Sequence, residues 1–175
     1  MLPFAIGNDI CHIPRIYKIL SARHGSRFVH KILTQQETQQ PRARSVLQCI
    51  LAPNQDPIDP VTVGSVRNEK LRRAAEYMAG RFAAKEAAIK AHPQHSLTYH
   101  QIEIQRMKAH VMVASQAHKT TGSPSEHDPV SSGPPIAIIH PGDGQPSTSA
   151  SVSISHDGDY ATAVCLGFPT SSNNP

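Results

Sequence analysis

Four charged side chains on a stretch of small residues are the best candidates for chemistry in this chain. Arg81 and Lys85 lie four residues apart, and Glu86 and Lys90 repeat that spacing within residues 79–91. In a helix, residues four apart are neighbours, so the first pair repels and the second pair attracts. Most of the other positions are alanine or glycine, so little bulk surrounds these charges. The pattern predicts that an anion lies beside Arg81 and Lys85.

Asp9 supplies a second carboxylate, at the end of the strand-like segment 4–10. Alone, it is most simply a turn or capping aspartate. Glu86 and Lys90 alone are most simply a solvent-facing helix pair, worth about 0.3–0.5 kcal/mol. Together, two carboxylates from separate elements can hold one hard divalent ion that also takes phosphate oxygens, as Mg²⁺ does. The neighbouring cations would then neutralise the remaining phosphate charge.

A second polar cluster is the sequence Ser-Ile-Ser-His-Asp at residues 153–157. Hydroxyls and an imidazole at a strand end can bind phosphate or move a proton. The alternative is the polar face of an antiparallel hairpin, where alternating serine is ordinary. A serine hydrolase triad is disfavoured because the residues are consecutive and no G-x-S-x-G turn is present.

Hydrophobic periodicity predicts the elements that must position these groups. A capping box formed by Thr34 and Glu37 opens one helix. A long helix runs from a cap at Asn68 to about His92, where Pro93 ends it. Its core face is predicted to carry Leu71, Ala75, Met78, Phe82 and Ile89. The remaining predictions are helices at 15–23 and 27–33, strands at 4–10, 97–107, 136–139, 151–156 and 160–166, a loop at 49–66 and an insertion at 114–135.

Composition narrows the function classes. The 175 residues suit one domain, with 38% hydrophobic residues and a formal charge of +4. The positive excess is scattered and lacks interleaved aromatic residues, which disfavours a nucleic-acid surface. Three cysteines without paired spacing and eleven histidines without ligand spacing predict neither a disulfide framework nor a zinc site. No apolar run approaches the roughly 20 residues that span a membrane, and no secretory signal is recognisable.

Four motifs follow one another along the chain: I-G-N-D-I at 6–10, R-F with L-T-Q-Q-E at 27–37, G-R-F-A-A-K-E-A at 80–87 with K-A at 90–91, and S-I-S-H-D at 153–157. In this order they resemble holo-acyl-carrier-protein synthase, the short, free-standing class of 4'-phosphopantetheinyl transferases. The helix motif is highly specific. We expect one domain over residues 1–168, with insertions near 38–67 and 108–149 and a flexible tail at 169–175.

The resemblance implies an enzyme that transfers 4'-phosphopantetheine from coenzyme A to a serine of an apo acyl carrier protein and releases 3',5'-ADP. It implies an α+β fold, with a long helix packed on an antiparallel sheet, and a homotrimer whose active sites lie between protomers. Asp9 and Glu86 match the Mg²⁺ ligands of the family. Lys90 matches the lysine that contacts the reacting phosphate and can protonate the leaving group. These three residues are the expected catalytic group.

Two further sets of residues are implied to bind the substrates. The positions that hold coenzyme A are matched by Arg81, Lys85, Ser155 and His156. The acidic helix of the carrier protein would face Arg15, Arg23 and Arg27. The base that activates the carrier serine is left open between Glu86, a metal-bound water and a carboxylate of the carrier.

The chain departs from the family pattern at two places. Asn8 replaces the usual aliphatic residue of the first motif, which is expected to alter packing rather than metal binding. Residues 91–95, Ala-His-Pro-Gln-His, replace a glycine-rich loop that commonly follows the lysine, so the coenzyme A contacts there are expected to differ.

One alternative is a non-catalytic module that binds coenzyme A or the carrier protein on the same fold. The intact Asp9, Glu86 and Lys90 count against it. A stand-alone enzyme is favoured over a fungal fatty acid synthase domain by Met1 just before the first strand and by Phe82-Ala83 in the helix motif. The long proline-rich insertions favour a eukaryotic enzyme of fatty acid biosynthesis acting on a mitochondrial carrier protein, with a cytoplasmic location as the alternative.

Overall fold

The computed structural model describes residues 4–52, 63–107, 133–142 and 144–167. Its helices are α1 Ile13–Ser21, α2 Gly25–Ile32, α3 Gln35–Gln39, α4 Pro41–Leu51 and α5 Val63–Ala91, followed by a 3₁₀ turn at Tyr99–Gln101. Its strands are β1 Ala5–His12, β2 Ile102–Arg106, β3 Pro135–Ile139, β4 Thr148–Asp157 and β5 Tyr160–Gly167.

The five strands form one antiparallel sheet in the order β1-β5-β4-β3-β2. The first strand pairs with the last, so that Asp9 lies opposite Ala163. Helix α5 packs across β1, β5 and β4, and α1 packs on α5. The predicted α+β class, with a long helix on an antiparallel sheet, is therefore confirmed.

Small residues let α5 and β1 approach closely. A Cβ atom added to Gly7 would lie 1.8 Å from the backbone oxygen of Ala87. The alanines of the helix, including Ala83, Ala84 and Ala88, are fully buried. Because the two backbones are nearly in contact, Asp9 of β1 lies beside the last turns of α5.

Several predicted elements are confirmed, and the bounds of others are corrected. The Thr34 hydroxyl accepts from the Glu37 amide at 3.1 Å, and the Glu37 carboxylate accepts from the Thr34 amide at 2.9 Å, as expected for a capping box. Helix α5 begins at Val63 rather than Asn68. Helix α4 occupies part of the predicted loop at 49–66, because Pro41 starts it and apolar residues pack it against α5.

The region after α5 also differs from its prediction. The strand expected at 97–107 is shortened by the 3₁₀ turn, which a Thr98–Gln101 capping box stabilises. Strand β3 and the β4–β5 hairpin are confirmed, with Gly158 at φ +51° in the connecting turn. Most of the predicted insertion at 114–135 and the expected tail at 169–175 lie outside the described residues.

One face of the sheet is uncovered. In strand β1, Ile6 and Ile10 are 62% and 63% exposed, while Gly7 and Cys11 lie on the opposite face and are buried. Val164 of β5 is exposed on the same outer face. The described helices cover only the inner face, so the part of the chain that the structure describes leaves an apolar surface open. None of the described helices is both long enough and apolar enough to cross a bilayer.

Candidate active site

Asp9 and Lys90 meet where β1 passes the end of α5. The Lys90 ammonium donates to Asp9 Oδ1 at 2.7 Å and to the backbone oxygen of Asn8 at 3.0 Å. The Lys90 side chain is 50% exposed and that of Asp9 is 15% exposed. The hydrogen bond that Lys90 donates to Asp9 raises the pKa of Lys90. Lys90 is therefore held as a cation at the mouth of the site.

The second carboxylate oxygen of Asp9 is an available ligand. Asp9 Oδ2 is buried and has no hydrogen-bond partner among the described residues. A buried anionic oxygen without a partner is costly unless a cation or donor satisfies it. Glu86 is half-buried on the adjoining turn of α5, and its charge acts on Lys90 together with that of Asp9.

This donor set suits magnesium. No cluster of three or more histidine, cysteine, aspartate or glutamate side chains with metal-site geometry occurs among the described residues. An ion held by Asp9 and Glu86 would complete its coordination with water or substrate oxygens. Mg²⁺ binds in this way, whereas structural zinc takes four protein ligands. The residues present therefore fit the predicted ion.

Tyr99 is a member of the site that sequence reasoning missed. Its hydroxyl, on the 3₁₀ turn, makes a short hydrogen bond to Glu86 Oε1. Burial, followed by that contact with Glu86, raises the pKa of Tyr99, so the phenol stays a donor. Thirteen residues separate the two partners, and no periodicity in the sequence links them.

Lys85 does not join the site, which corrects its assignment as a coenzyme A contact. Its side chain is fully buried. Its ammonium donates to Glu37 Oε2 at 2.5 Å and to the backbone oxygens of Ile32 at 2.7 Å and Tyr99 at 2.9 Å. Lysine has three donors, and all three are used. For Lys85, the predicted anion is thus a carboxylate of this chain, supplied by Glu37.

Arg81 has a mixed environment. Its guanidinium donates to the Ile104 oxygen at 2.6 Å and to Gln40 Oε1 at 3.3 Å, and it lies 5.1 Å from the centre of the Tyr77 ring. Although only 8% exposed, Arg81 lines an open cavity of about 570 Å³. The other basic residues of that cavity are Arg42, Arg73, Arg106 and His156.

Ser155 and His156 point to opposite sides of β4, as neighbours in a strand must. His156 Nε2 lies 3.0 Å from the backbone oxygen of Glu76, against Gly80, on the α5 side. Ser155 is exposed and is absent from the lining of the cavity. Ten residues of helix, roughly 15 Å, separate Glu76 from Glu86. One chain therefore brings Arg81 and His156 to the same cavity but keeps His156 apart from Glu86.

The predicted carrier-binding arginines are all solvent-exposed. Arg15, Arg23 and Arg27 are exposed on α1, α2 and the turn between them. Arg15 stacks 5.5 Å from the centre of the Phe82 ring, next to the site. Neither helix contains an acidic residue. The result is a basic face on α1 and α2.

Comparison with known proteins identifies the family of this arrangement. The model of the 4'-phosphopantetheinyl transferase superfamily matches residues 5–165. A mitochondrial 4'-phosphopantetheinyl transferase B of Aspergillus fumigatus is 30% identical over 166 residues, covering 94% of this chain and 93% of the relative. A holo-[acyl-carrier-protein] synthase of a Wolbachia from Brugia malayi is 33% identical over 170 residues, covering 94% and 97%.

A solved structure has a similar fold. The crystal structure of a holo-acyl-carrier-protein synthase from Plasmodium yoelii is similar to this chain with a TM-score of 0.54. The two are 23% identical, and the match covers 95% of this chain and 94% of that one. At this identity the likeness concerns the arrangement of helices and strands.

Proposed function

This chain is an enzyme of the 4'-phosphopantetheinyl transferase superfamily, and we propose that it transfers 4'-phosphopantetheine from coenzyme A to a serine of an apo acyl carrier protein, releasing 3',5'-ADP. The observation that carries the proposal is Asp9, whose buried Oδ2 has no hydrogen-bond partner among the described residues while Oδ1 accepts from Lys90. An anionic ligand and a fixed ammonium, with Glu86 adjacent, form a site for a phosphate ester and its metal ion.

Asp9 and Glu86 would hold the Mg²⁺ ion. When bound, that ion supplies positive charge to the pyrophosphate oxygens of coenzyme A. The protein contributes by holding the two carboxylates on elements that are packed backbone to backbone, through Gly7 of β1 and Ala87 of α5. Such fixed positions reduce the rearrangement needed as the serine oxygen approaches phosphorus.

Lys90 would stabilise the charge that develops on the phosphate. Its hydrogen bond with Asp9 raises its pKa, so the ammonium releases its proton less readily than a free lysine. That favours electrostatic stabilisation over proton donation to the leaving group. Its half-exposed position leaves the ammonium accessible to a substrate oxygen.

The basic cavity beside Arg81 would receive the anionic nucleotide end of coenzyme A. Its size, about 570 Å³, and its arginines suit a phosphorylated ligand. Of the residues first assigned to coenzyme A, Arg81 and His156 line this cavity. Lys85 is withdrawn from that role because its donors are satisfied internally, and the exposed Ser155 has no support in this chain alone.

Two observations support assembly of several copies, as in the proposed homotrimer. The first is the exposed apolar face with Ile6, Ile10 and Val164, since an apolar patch of this kind commonly marks an interface. The second is the separation of His156 from Glu86, which a neighbouring copy could overcome by bringing its own His156 close. Sedimentation analysis should give the mass of three chains.

The basic face on α1 and α2 would bind the acidic carrier protein. Opposite charges steer such encounters and lose strength as salt is added. The Aspergillus relative is described as mitochondrial, which supports our proposal of a mitochondrial carrier as the substrate. We propose fatty acid biosynthesis as the pathway served.

The test of the proposed function is a transfer assay. Purified protein with Mg²⁺, coenzyme A and an apo carrier should add the mass of one phosphopantetheine to the carrier. Glu86→Gln should lower turnover by about 10²–10³-fold, as expected when one charge-stabilising group is lost, without changing the thermal unfolding temperature. Tight coenzyme A binding without any mass gain across a panel of carriers would favour the non-catalytic module instead.

A further inference from the structure

The structure assigns to Tyr99 the role of a positioning residue for the metal ligand Glu86. Its hydroxyl donates to Glu86 Oε1 and thereby directs the other carboxylate oxygen toward the ion shared with Asp9. This inference rests on the proposed function. It adds a tyrosine that does not itself contact the ion and acts only through the carboxylate.

Tyr99 is well placed to fix another group because it is itself fixed at three points. Its backbone oxygen accepts from the buried ammonium of Lys85 at 2.9 Å. Its ring lies 5.8 Å from that of Phe82 on α5. The turn that carries it is capped by Thr98 and Gln101, whose amide oxygen accepts from the Thr98 amide at 2.9 Å.

Glu86 needs such a partner more than Asp9 does. Asp9 is short, and one of its oxygens is held by Lys90 at 2.7 Å. Glu86 has an additional rotatable bond, and it is only half-buried, so its carboxylate would otherwise occupy several rotamers. A phenol offers one proton, which commits one carboxylate oxygen and leaves the second for the metal. Partners of this kind typically change metal affinity about 10–100-fold.

The experiment measures metal binding directly. Mn²⁺ serves as the probe because oxygen sites that take Mg²⁺ also take Mn²⁺. The wild-type protein, Tyr99→Phe and Tyr17→Phe are titrated with Mn²⁺ and followed by electron paramagnetic resonance. Tyr17→Phe is the matched control, since it removes a tyrosine hydroxyl whose partner is Asn68, far along the chain from the carboxylates.

Tyr99→Phe should weaken Mn²⁺ binding about 10-fold, and Tyr17→Phe should leave it unchanged. Both variants should unfold at nearly the wild-type temperature because each retains its ring. In transfer assays, Tyr99→Phe should raise the Mg²⁺ concentration needed for half-maximal rate, while the rate at saturating Mg²⁺ stays close to wild type. Equal Mn²⁺ affinity in wild type and Tyr99→Phe would overturn the inference.

A spectroscopic signature in the wild-type protein gives a second test that needs no foldable Tyr99 variant. The chain has four tyrosines and no tryptophan, so its near-ultraviolet spectrum is dominated by phenols. A cation on Glu86 weakens that carboxylate as an acceptor and should shift the Tyr99 band. The shift should appear in wild type and Tyr17→Phe and be absent in Glu86→Gln. Mn²⁺ binding to the wild type without any shift of the tyrosine band would contradict a contact between Tyr99 and the metal ligand Glu86.

These outcomes distinguish a failure of the positioning role of Tyr99 from a failure of the proposed reaction. Normal transfer with unchanged metal affinity in Tyr99→Phe refutes the positioning role and leaves the transferase intact. Absence of transfer despite normal Mn²⁺ binding and a clear Tyr99 effect refutes the proposed reaction and keeps the positioning role. Absence of Mn²⁺ binding in the wild type overturns the positioning role together with the metal site.

Discussion

Helix α5 carries two lysines, five residues apart, that each pair with a carboxylate of another element, and the two pairs have opposite surroundings. Lys85 lies 2.5 Å from Glu37, and both side chains are completely buried. Lys90 lies 2.7 Å from Asp9, with the lysine 50% and the aspartate 15% exposed. The distances are nearly equal, so distance does not distinguish a structural pair from a reactive one.

The two pairs differ in how far their hydrogen-bonding capacity is used. All three donors of Lys85 have partners, and Glu37 accepts from Lys85, the Thr34 amide and the Ile104 amide. In the other pair, Asp9 Oδ2 is buried without a partner among the described residues. A saturated pair can only hold elements together, whereas a pair with an unused buried oxygen can bind a cation.

The buried pair of Lys85 and Glu37 joins elements that are distant in sequence. Through Lys85, α5 is tied to the end of α2, to α3 and to the 3₁₀ turn. Burial lowers the pKa of Lys85, and the charge of Glu37 opposes that shift. Removing one partner of such a pair leaves the other charge buried and uncompensated, which typically costs 3–5 kcal/mol.

The largest expected effect is therefore on stability, from Lys85→Met. We expect the free energy of unfolding to fall by about 3–5 kcal/mol because Glu37 would stay buried without its cation. Urea denaturation followed by circular dichroism measures this. Lys90→Met is the matched control on the same helix and should change stability little. Equal losses in the two variants would break the distinction between the pairs.

Lys90→Met should instead reduce catalysis. Loss of the ammonium at the reacting phosphate should lower kcat by about 100-fold, with the far-ultraviolet spectrum and unfolding midpoint preserved. The measurement is carrier modification by mass spectrometry at saturating Mg²⁺ and coenzyme A. Turnover close to wild type would show that Lys90 has no catalytic role and that its contact with Asp9 is only structural.

The smallest expected effect is the pH dependence of the stabilisation that the pair of Lys90 and Asp9 contributes. The folded-state pKa of Lys90 is raised above its ordinary 10.5 by Asp9, so the native state binds this proton more tightly than the unfolded chain. The stabilisation is fully present below about pH 10.5 and is lost as pH rises through the folded pKa. The stability difference between wild type and Lys90→Met should be constant from pH 7 to 9 and shrink above 10.5. A stability difference that grew with pH would contradict the raised pKa of Lys90.

Local patterns predicted most of the elements correctly. The capping box at Thr34, the β4–β5 hairpin and the long helix all depend on residues that are close together along the chain. Helix α4 and the early start of α5 were missed because prolines and turn formers around them resemble a loop. The inner and outer faces of β1 were not distinguishable, since the apolar Ile6 and Ile10 face outward while Gly7 packs on α5.

The sequence by itself determined the order of motifs and the candidate carboxylates and ammonium, Asp9, Glu86 and Lys90, because these follow from residue types at fixed spacings. The α+β class was implied by the family resemblance that those motifs carry. The tertiary structure alone decided that Lys85 faces Glu37 in the core, that Tyr99 holds Glu86, and that His156 lies near Gly80 rather than Asp9. Lys85 and Lys90 lie on the same helix, and each has alanines among its neighbours in sequence. Only contacts with residues far along the chain determine which one keeps its charge exposed to a substrate.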